Sequence, residues 1–257
     1  SNLDDISALK TLVGVTGGIY IGKTKISDVS VLANLESVET IWLKGNKLES
    51  LPDFSKISNL KSVNVSGNII SDVAPLLTDA DLKELHLGDE KGAKEETNKI
   101  GILNGLEKLT ALKYLDLSGL PLHKWQVDSL KAKMTSCEIK FVSGGRTPIL
   151  PPVSNKSIKY TDSGVQLCGV VENAGAYDIV EYGFYYGKDI KALTKVKVGE
   201  SISGGSDFST EVTVPDDEKY YYQAYAVNSK GESHSESYGE FSLGSINLSE
   251  YISSIYK

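Results

Sequence analysis

Catalysis needs side chains that can attack a bond, move a proton or hold a metal, and this chain arranges few of them for such work. Its three histidines, His86, His123 and His234, have no glycine-framed serine or cysteine nucleophile in a known local signature beside them. The two cysteines, Cys137 and Cys168, lie in different halves without metal-ligand spacing and read as two free thiols. Gly14-Val15-Thr16-Gly17-Gly18 is glycine-rich, but no Gly-Lys-Ser/Thr follows and it leads into a strand, so it is no phosphate cradle. The tract from Asp89 to Glu96 mixes both charge signs and lacks the alternating carboxylates of a calcium loop. These residues predict no catalytic centre, no metal site and no cofactor. What remains is recognition chemistry. Tyr20, Trp42, His86 and Tyr114 offer rings, while Lys44, Asn64, Glu84 and Asp116 offer charge and hydrogen bonds. They act together only if a regular backbone sets them on one surface.

A repeat does that. Ile41-Trp42-Leu43-Lys44-Gly45-Asn46-Lys47-Leu48 and Val63-Asn64-Val65-Ser66-Gly67-Asn68-Ile69-Ile70 share one pattern, and Ile19, Ile41, Val63 and Leu85 stand 22 residues apart. Two apolar residues around one exposed residue make a short strand, and an asparagine then closes the turn. Side chains alternate along a strand, so the middle residues should form an outward column of Tyr20, Trp42, Asn64, His86, Asp116 and Lys140. Beside it run Gly18, Thr40, Ser62, Glu84, Tyr114 and Glu138, and on the other flank Gly22, Lys44, Ser66, Gly88 and Ser118. Exposed rings among polar neighbours mark interaction sites.

The rest of the first half serves the stack. Ile6, Leu9, Leu12 and Val13 predict a short helix that caps its open end. Asp28 and Asp72 stand where a carboxylate can cap a short helical turn. In repeat four Glu90 replaces the expected asparagine, and Leu85 to Leu115 is 30 residues, so about eight are inserted as a solvated loop. Trp125, Val127, Leu130 and Met134 predict a longer amphipathic helix with Trp125 in the core, before a closing strand at Cys137–Phe141.

Prolines and glycines between 143 and 152 end the period and mark a linker. Beyond it, strands are predicted at 165–171, 180–186, 193–198, 208–214 and 220–227, which implies an antiparallel sandwich. Alternation sends Tyr220, Tyr222 and Ala224 inward and Tyr221, Gln223 and Tyr225 outward; Tyr220 should lock a corner with its hydroxyl. Leu248 to Tyr256 has the spacing of a short docking helix. The expected division is 1–142 repeats with caps, 143–152 linker, 153–244 sandwich and 245–257 tail.

The net charge of −7 argues against nucleic acid, whose binders need a basic face. No apolar run approaches the length of a membrane helix. The opening Ser1-Asn2-Leu3, without Met, is expected to follow a removed signal segment or to mark a fragment.

The repeats resemble the 22-residue leucine-rich repeats of the internalins. Glu181-Tyr182-Gly183-Phe184-Tyr185-Tyr186-Gly187 and Tyr220-Tyr221-Tyr222-Gln223-Ala224-Tyr225-Ala226-Val227-Asn228 resemble fibronectin type III or Ig-like modules in surface lipoproteins of Gram-negative gut anaerobes. The expected fold is an α/β leucine-rich-repeat solenoid, with a parallel sheet of about six short strands and helical caps. An all-β antiparallel sandwich follows it. The resemblance implies an exported, non-catalytic binding protein at the cell surface or outer membrane, or secreted. A lipid anchor would lie outside this chain. The expected partner is a host or bacterial protein, bound by a monomer on the concave face. The alternatives are a glycan, with Tyr20 and Trp42 stacking on sugar rings and Asn64 and Asp116 holding hydroxyls, or a purely architectural spacer.

Overall fold

The structure, a computed structural model, describes residues 3–11, 14–78, 81–89, 97–174 and 177–243. Leu12 and Val13 of the expected cap, the charged stretch from Glu90 to Glu96 and the expected docking helix at Leu248–Tyr256 lie outside these residues. The chain divides into two compact units, Ser1–Thr147 and Pro148–Lys257.

The first unit is a leucine-rich-repeat solenoid. Six strands, β1 (Gly17–Tyr20), β2 (Val38–Trp42), β3 (Ser62–Asn64), β4 (Glu84–His86), β5 (Tyr114–Asp116) and β6 (Glu138–Lys140), pair in sequence order and all parallel. Register aligns Ile19, Ile41, Val63, Leu85, Leu115 and Ile139 in one inward row, and Ile41, Val63, Leu85 and Leu115 are wholly buried. The strands are short because the chain must turn after each one. It does so in the left-handed region at Gly45 (φ 73°), Gly67 (φ 67°) and Gly119 (φ 76°). The first repeat places Lys23 there at φ 54°, a conformation that costs a residue with a Cβ about 1 kcal/mol.

Buried asparagines tie the turns together. Asn46 donates to Ile21 O and Leu43 O and accepts from Thr24 N; Asn68 donates to Leu43 O and Val65 O and accepts from Leu48 N. Asn98 repeats the pattern, donating to Val65 O and Leu87 O and accepting from Ile70 N. The ladder asparagine of repeat four is therefore not lost at Glu90, as the spacing suggested. It is Asn98, and the extra residues fall between strand and ladder. Sequence reading misplaced it by taking the insertion to lie after the turn. Asn68 to Asn98 is 30 residues, the same step as Leu85 to Leu115.

The side of the solenoid away from the sheet is built of 3-10 turns. Asp28 accepts from Ser30 N at 2.8 Å and Asp72 from Ala74 N at 2.8 Å, each at the first residue of such a turn. Asp5 and Asp53 do the same for Ser7 and Ser55. These serine amides hold the carboxyls of Asp5, Asp28 and Asp53 below the usual carboxylate range. The cap is also a 3-10 turn, Ser7–Thr11, with Ile6 buried against the core. Helix α1 (Lys124–Lys133) buries Val127 and Leu130. Trp125, expected in the core, is half-buried at the surface and stacks on His123, with ring centroids 6.1 Å apart. Gln126 fills the inward place and donates to Gly101 O.

The second unit has two antiparallel sheets over one core. One joins β7 (Val153–Asn155), β8 (Lys159–Tyr160), β9 (Val165–Val171) and β12 (Ser206–Val212). The other joins β10 (Ile179–Gly187), β11 (Thr194–Gly199), β13 (Tyr220–Asn228), β14 (Gly231–His234) and β15 (Gly239–Phe241). Val165, Leu167, Val171 and Phe208 meet Phe184, Tyr222, Ala224 and Ala226 in the shared core. Tyr220 is buried with its hydroxyl on Asp216, four residues upstream. Tyr225 corrects a simple reading of alternation. It lies on the outward face with Tyr185, yet is fully buried. Lys195 covers its ring at 4.3 Å, and Lys195 in turn pairs with Glu181 and Glu232 at 2.8 Å each.

Candidate binding site

The parallel register decides which side chains share the solvent face of the first sheet. Tyr20, Trp42, Asn64, His86, Asp116 and Lys140 are mutual partners across β1 to β6, and Thr40, Ser62, Glu84, Tyr114 and Glu138 form the adjoining row. Four rings of these rows make one continuous line. Tyr20 meets Trp42 edge-on, with centroids 5.8 Å apart; Trp42 meets His86 edge-on at 6.0 Å; His86 meets Tyr114 at 5.2 Å. Such pairs favour edge-to-face geometry because the electron-poor edge of one ring seeks the face of the next. The line ends in its most exposed members, Tyr20 at 67% and Trp42 at 37%.

Trp42 and His86 stand two strands apart, so they lean together over β3, where the side chains are small. Lys44 and Asp89 span the same repeat as an ion pair of 2.5 Å. Beneath these two bridges Asn64 and Ser66 are buried. Asn64 turns its oxygen to Ser66, accepting from the amide at 3.1 Å and the hydroxyl at 2.8 Å. Asp116 likewise is buried and accepts from Ser118 N at 2.9 Å. These two candidates shape the floor of the face, and the rings and the outer charges form its outer layer.

A chain of hydrogen bonds fixes the centre of the line. Trp42 Nε1 donates to Ser62 Oγ at 3.3 Å, Ser62 Oγ donates to Glu84 Oε2 at 3.2 Å, and Glu84 Oε1 meets His86 Nε2 at 2.7 Å. The order of these groups matters chemically. The serine hydroxyl gives its proton to the carboxylate and not to the imidazole, so the histidine is not placed to activate it as a nucleophile. Burial, and then the charge of Asp116, raise the Tyr114 phenol above its ordinary value, which keeps it a proton donor. Among the described residues no group of three or more His, Cys, Asp or Glu side chains could hold a metal ion. The arrangement can bury rings, trade hydrogen bonds and offer paired charges.

All eight sequence candidates lie on or beside this face. Ser62 and Asp89 were not among them. Ser62 was legible as the register neighbour of Glu84, whereas Asp89 had no signal, because its partner Lys44 lies 45 residues earlier and two repeats away.

No family model matches the chain, and no curated protein matches it by sequence. Among solved structures it is similar in part to internalin C2 of Listeria monocytogenes, at 22% identity over 56% of this chain and 58% of that one, with a TM-score of 0.48. Internalin F of the same organism gives 19% identity over 57% and 46%, with a TM-score of 0.43. A leucine-rich-repeat protein of Leptospira interrogans gives 19% over 52% and 38%, with a TM-score of 0.38. The chain thus spans less than two thirds of the length of each.

Proposed function

We propose that this is a non-catalytic binding protein that recognises a protein partner on the concave face of its repeat sheet. The line of Tyr20, Trp42, His86 and Tyr114 is the observation that carries the reading. Rings of this size dominate interface energetics, and a row already locked in place loses little side-chain freedom on binding. Lys44 and Glu84 supply the polar rim, and Asn64 and Asp116 support the floor.

A protein is favoured over a glycan for two reasons. Rings packed edge-to-face form a ribbed ridge, which suits the knobs of a protein surface better than the flat face of a sugar. Asn64 and Asp116, the residues that would hold sugar hydroxyls, already spend oxygens on their own backbone. On this reading the second unit is a fibronectin III or Ig-like module that holds the repeats at a distance or adds a secondary contact. Its two antiparallel sheets and the Tyr220 corner support that. The protein would work as a monomer, exported to the cell surface or secreted, with any lipid anchor outside this chain. Among the described residues no helix is long and apolar enough to cross a membrane.

The test is a pull-down from host extract beside a glycan array, repeated with Trp42→Ala and Tyr114→Ala. Each substitution should weaken capture of the protein partner by at least about tenfold, on the order of 1.4 kcal/mol, and leave the fold intact. Full capture by both variants would remove the face from consideration, and array binding without a protein partner would reassign the ligand to a glycan.

A further inference from the structure

Two tyrosines of the second unit share one cleft at its surface. Tyr160, Tyr185, Tyr220, Tyr222 and Tyr225 each donate a hydrogen bond to a protein oxygen. Tyr221 and Tyr238 donate none among the described residues, and both line one cleft of about 570 Å³. It lies over the outward face at the end of β10, β13 and β15, where Gly187 and Glu240 flank Tyr221 in register. Lys188, Asp189 and the exposed Ile190 close the far wall. Exposed sheet tyrosines commonly stabilise one another across strands, yet among the described residues neither Tyr221 nor Tyr238 meets another ring.

Lysines lie over Tyr177, Tyr185, Tyr220, Tyr221 and Tyr225 at 4.3 to 5.8 Å from the ring centre. Tyr160, Tyr182, Tyr186 and Tyr222 pack in or against the core instead, whereas Tyr238, 42% exposed, has no such cation among the described residues. The charge around it has the matching sign. Asp189 and Glu240 line the cleft, and Lys188 ties in Asp216 and Glu218 at 2.5 and 3.1 Å. Four carboxylates thus face two ammonium groups, those of Lys188 and Lys219, and Lys219 is held by Glu240 at 2.8 Å. Residues 148–257 carry nine lysines and fifteen acids, a net −6, whereas residues 1–147 carry eighteen basic and nineteen acidic residues, a net −1.

We propose that the Tyr221–Tyr238 cleft binds a basic peptide segment of a protein partner, taking an arginine or lysine side chain against the exposed Tyr238 ring with its charge toward Asp189 and Glu240. A cation over an aromatic face gains from the ring quadrupole, and nearby carboxylates add Coulomb attraction that salt weakens. Ile190 and the two rings give the aliphatic stem of that side chain an apolar wall.

The test uses the full chain and a short amidated peptide that alternates arginine with glycine, titrated by calorimetry at low salt. Binding should saturate at one peptide per chain and weaken as salt rises. The same peptide with citrulline, uncharged but alike in shape, should not bind. Tyr238→Leu should weaken the arginine peptide about tenfold, the scale of one partly desolvated cation–ring contact. Tyr238→Phe, which keeps the ring, should restore it, and Trp42→Ala should leave it unchanged. Equal losses in Tyr238→Leu and Tyr238→Phe, binding of the citrulline peptide, or loss with Trp42→Ala would each overturn the proposal. So would Tyr238-dependent binding of an uncharged oligosaccharide without binding of the arginine peptide.

Discussion

At the scale of single residues, the heaviest burden falls on three asparagine side chains. Asn68 makes bonds to Leu43 O, Val65 O and Leu48 N inside a wholly buried environment. Removing one side of a buried hydrogen bond strands the other side, at about 1–3 kcal/mol for each group left unpaired. Asn68→Ala is therefore expected to cost about 3 kcal/mol in urea unfolding of the repeat unit; a loss below about 0.5 kcal/mol would end the ladder account. Lys23→Gly should act in the opposite direction, stabilising by about 0.5–1 kcal/mol, because glycine enters the left-handed region without strain. The surface rings behave differently. Trp42 lies outside the core, so Trp42→Ala should shift the unfolding midpoint little and, under the proposed function, weaken binding strongly.

At the scale of elements, the insertion in repeat four makes a prediction of its own. Excising residues 90–97 returns the Asn68-to-Asn98 step to 22 and leaves Asp89 against Asn98, with the ladder intact. The shortened protein should still unfold cooperatively, within about 1–2 kcal/mol of the parent, since loop length has a small entropic cost. A collapse of the repeat unit would show that the inserted residues carry packing of their own. The outward face of the second unit gives a pH prediction. Burial pushes the His234 imidazole below its ordinary 6.5, against the pull of Glu232. The Lys195 and Tyr225 hydrogen bonds hold Glu181 below its ordinary 4.5. Between the folded and the ordinary histidine values the unfolded chain binds more protons, so stability falls as pH drops through 6.5, and a second loss from Glu181 follows below 4.5. Amide protection in β13 and β14, taken relative to the intrinsic exchange rate at each pH, should fall from pH 7.5 to 5.5, and His234→Gln should flatten that part of the profile. Lys195, Tyr185 and Tyr225 face His234 from the neighbouring strands and keep their ordinary charge over this range.

What the sequence revealed also divides by element. The six-strand sheet was legible because each strand repeats the same inward pair at a fixed step, and register then follows from the hydrophobic pattern. Asn98 was not legible, since an insertion moves a ladder residue away from the strand that announces it. Trp125 and Tyr225 were misread for different reasons. Trp125 stands one step off the inward row, which Gln126, Val127 and Leu130 hold, whereas Tyr225 does point outward and is buried because Lys195 closes over it. The bridging of Trp42 to His86 across β3 could not be read from spacing, because it needs β3 to carry small side chains and its neighbours to lean.

At the scale of the whole molecule, the proposed function puts ligand recognition in the first unit, so residues 1–147 expressed alone should keep the affinity of the full chain for the concave-face partner within about tenfold. Loss of all binding by a fragment that still folds would move the site out of the repeats. The solenoid also sets how the chain finds its shape. Its strand pairs join residues 22, 22, 22, 30 and 24 apart. The entropy of closing a 30-residue loop exceeds that of a 22-residue one by only about 0.3 kcal/mol. No step along the sheet is therefore kinetically distinguished by topology, and the order of assembly is left to local energy. The three-rung asparagine stretch from β2 to β4 is the natural place for the first stable seed, from which repeats can add one at a time toward each end. Refolding should accordingly be slowed by substitutions at Asn68 and left nearly unchanged by those at Leu120, which stands at the ladder position past the last rung.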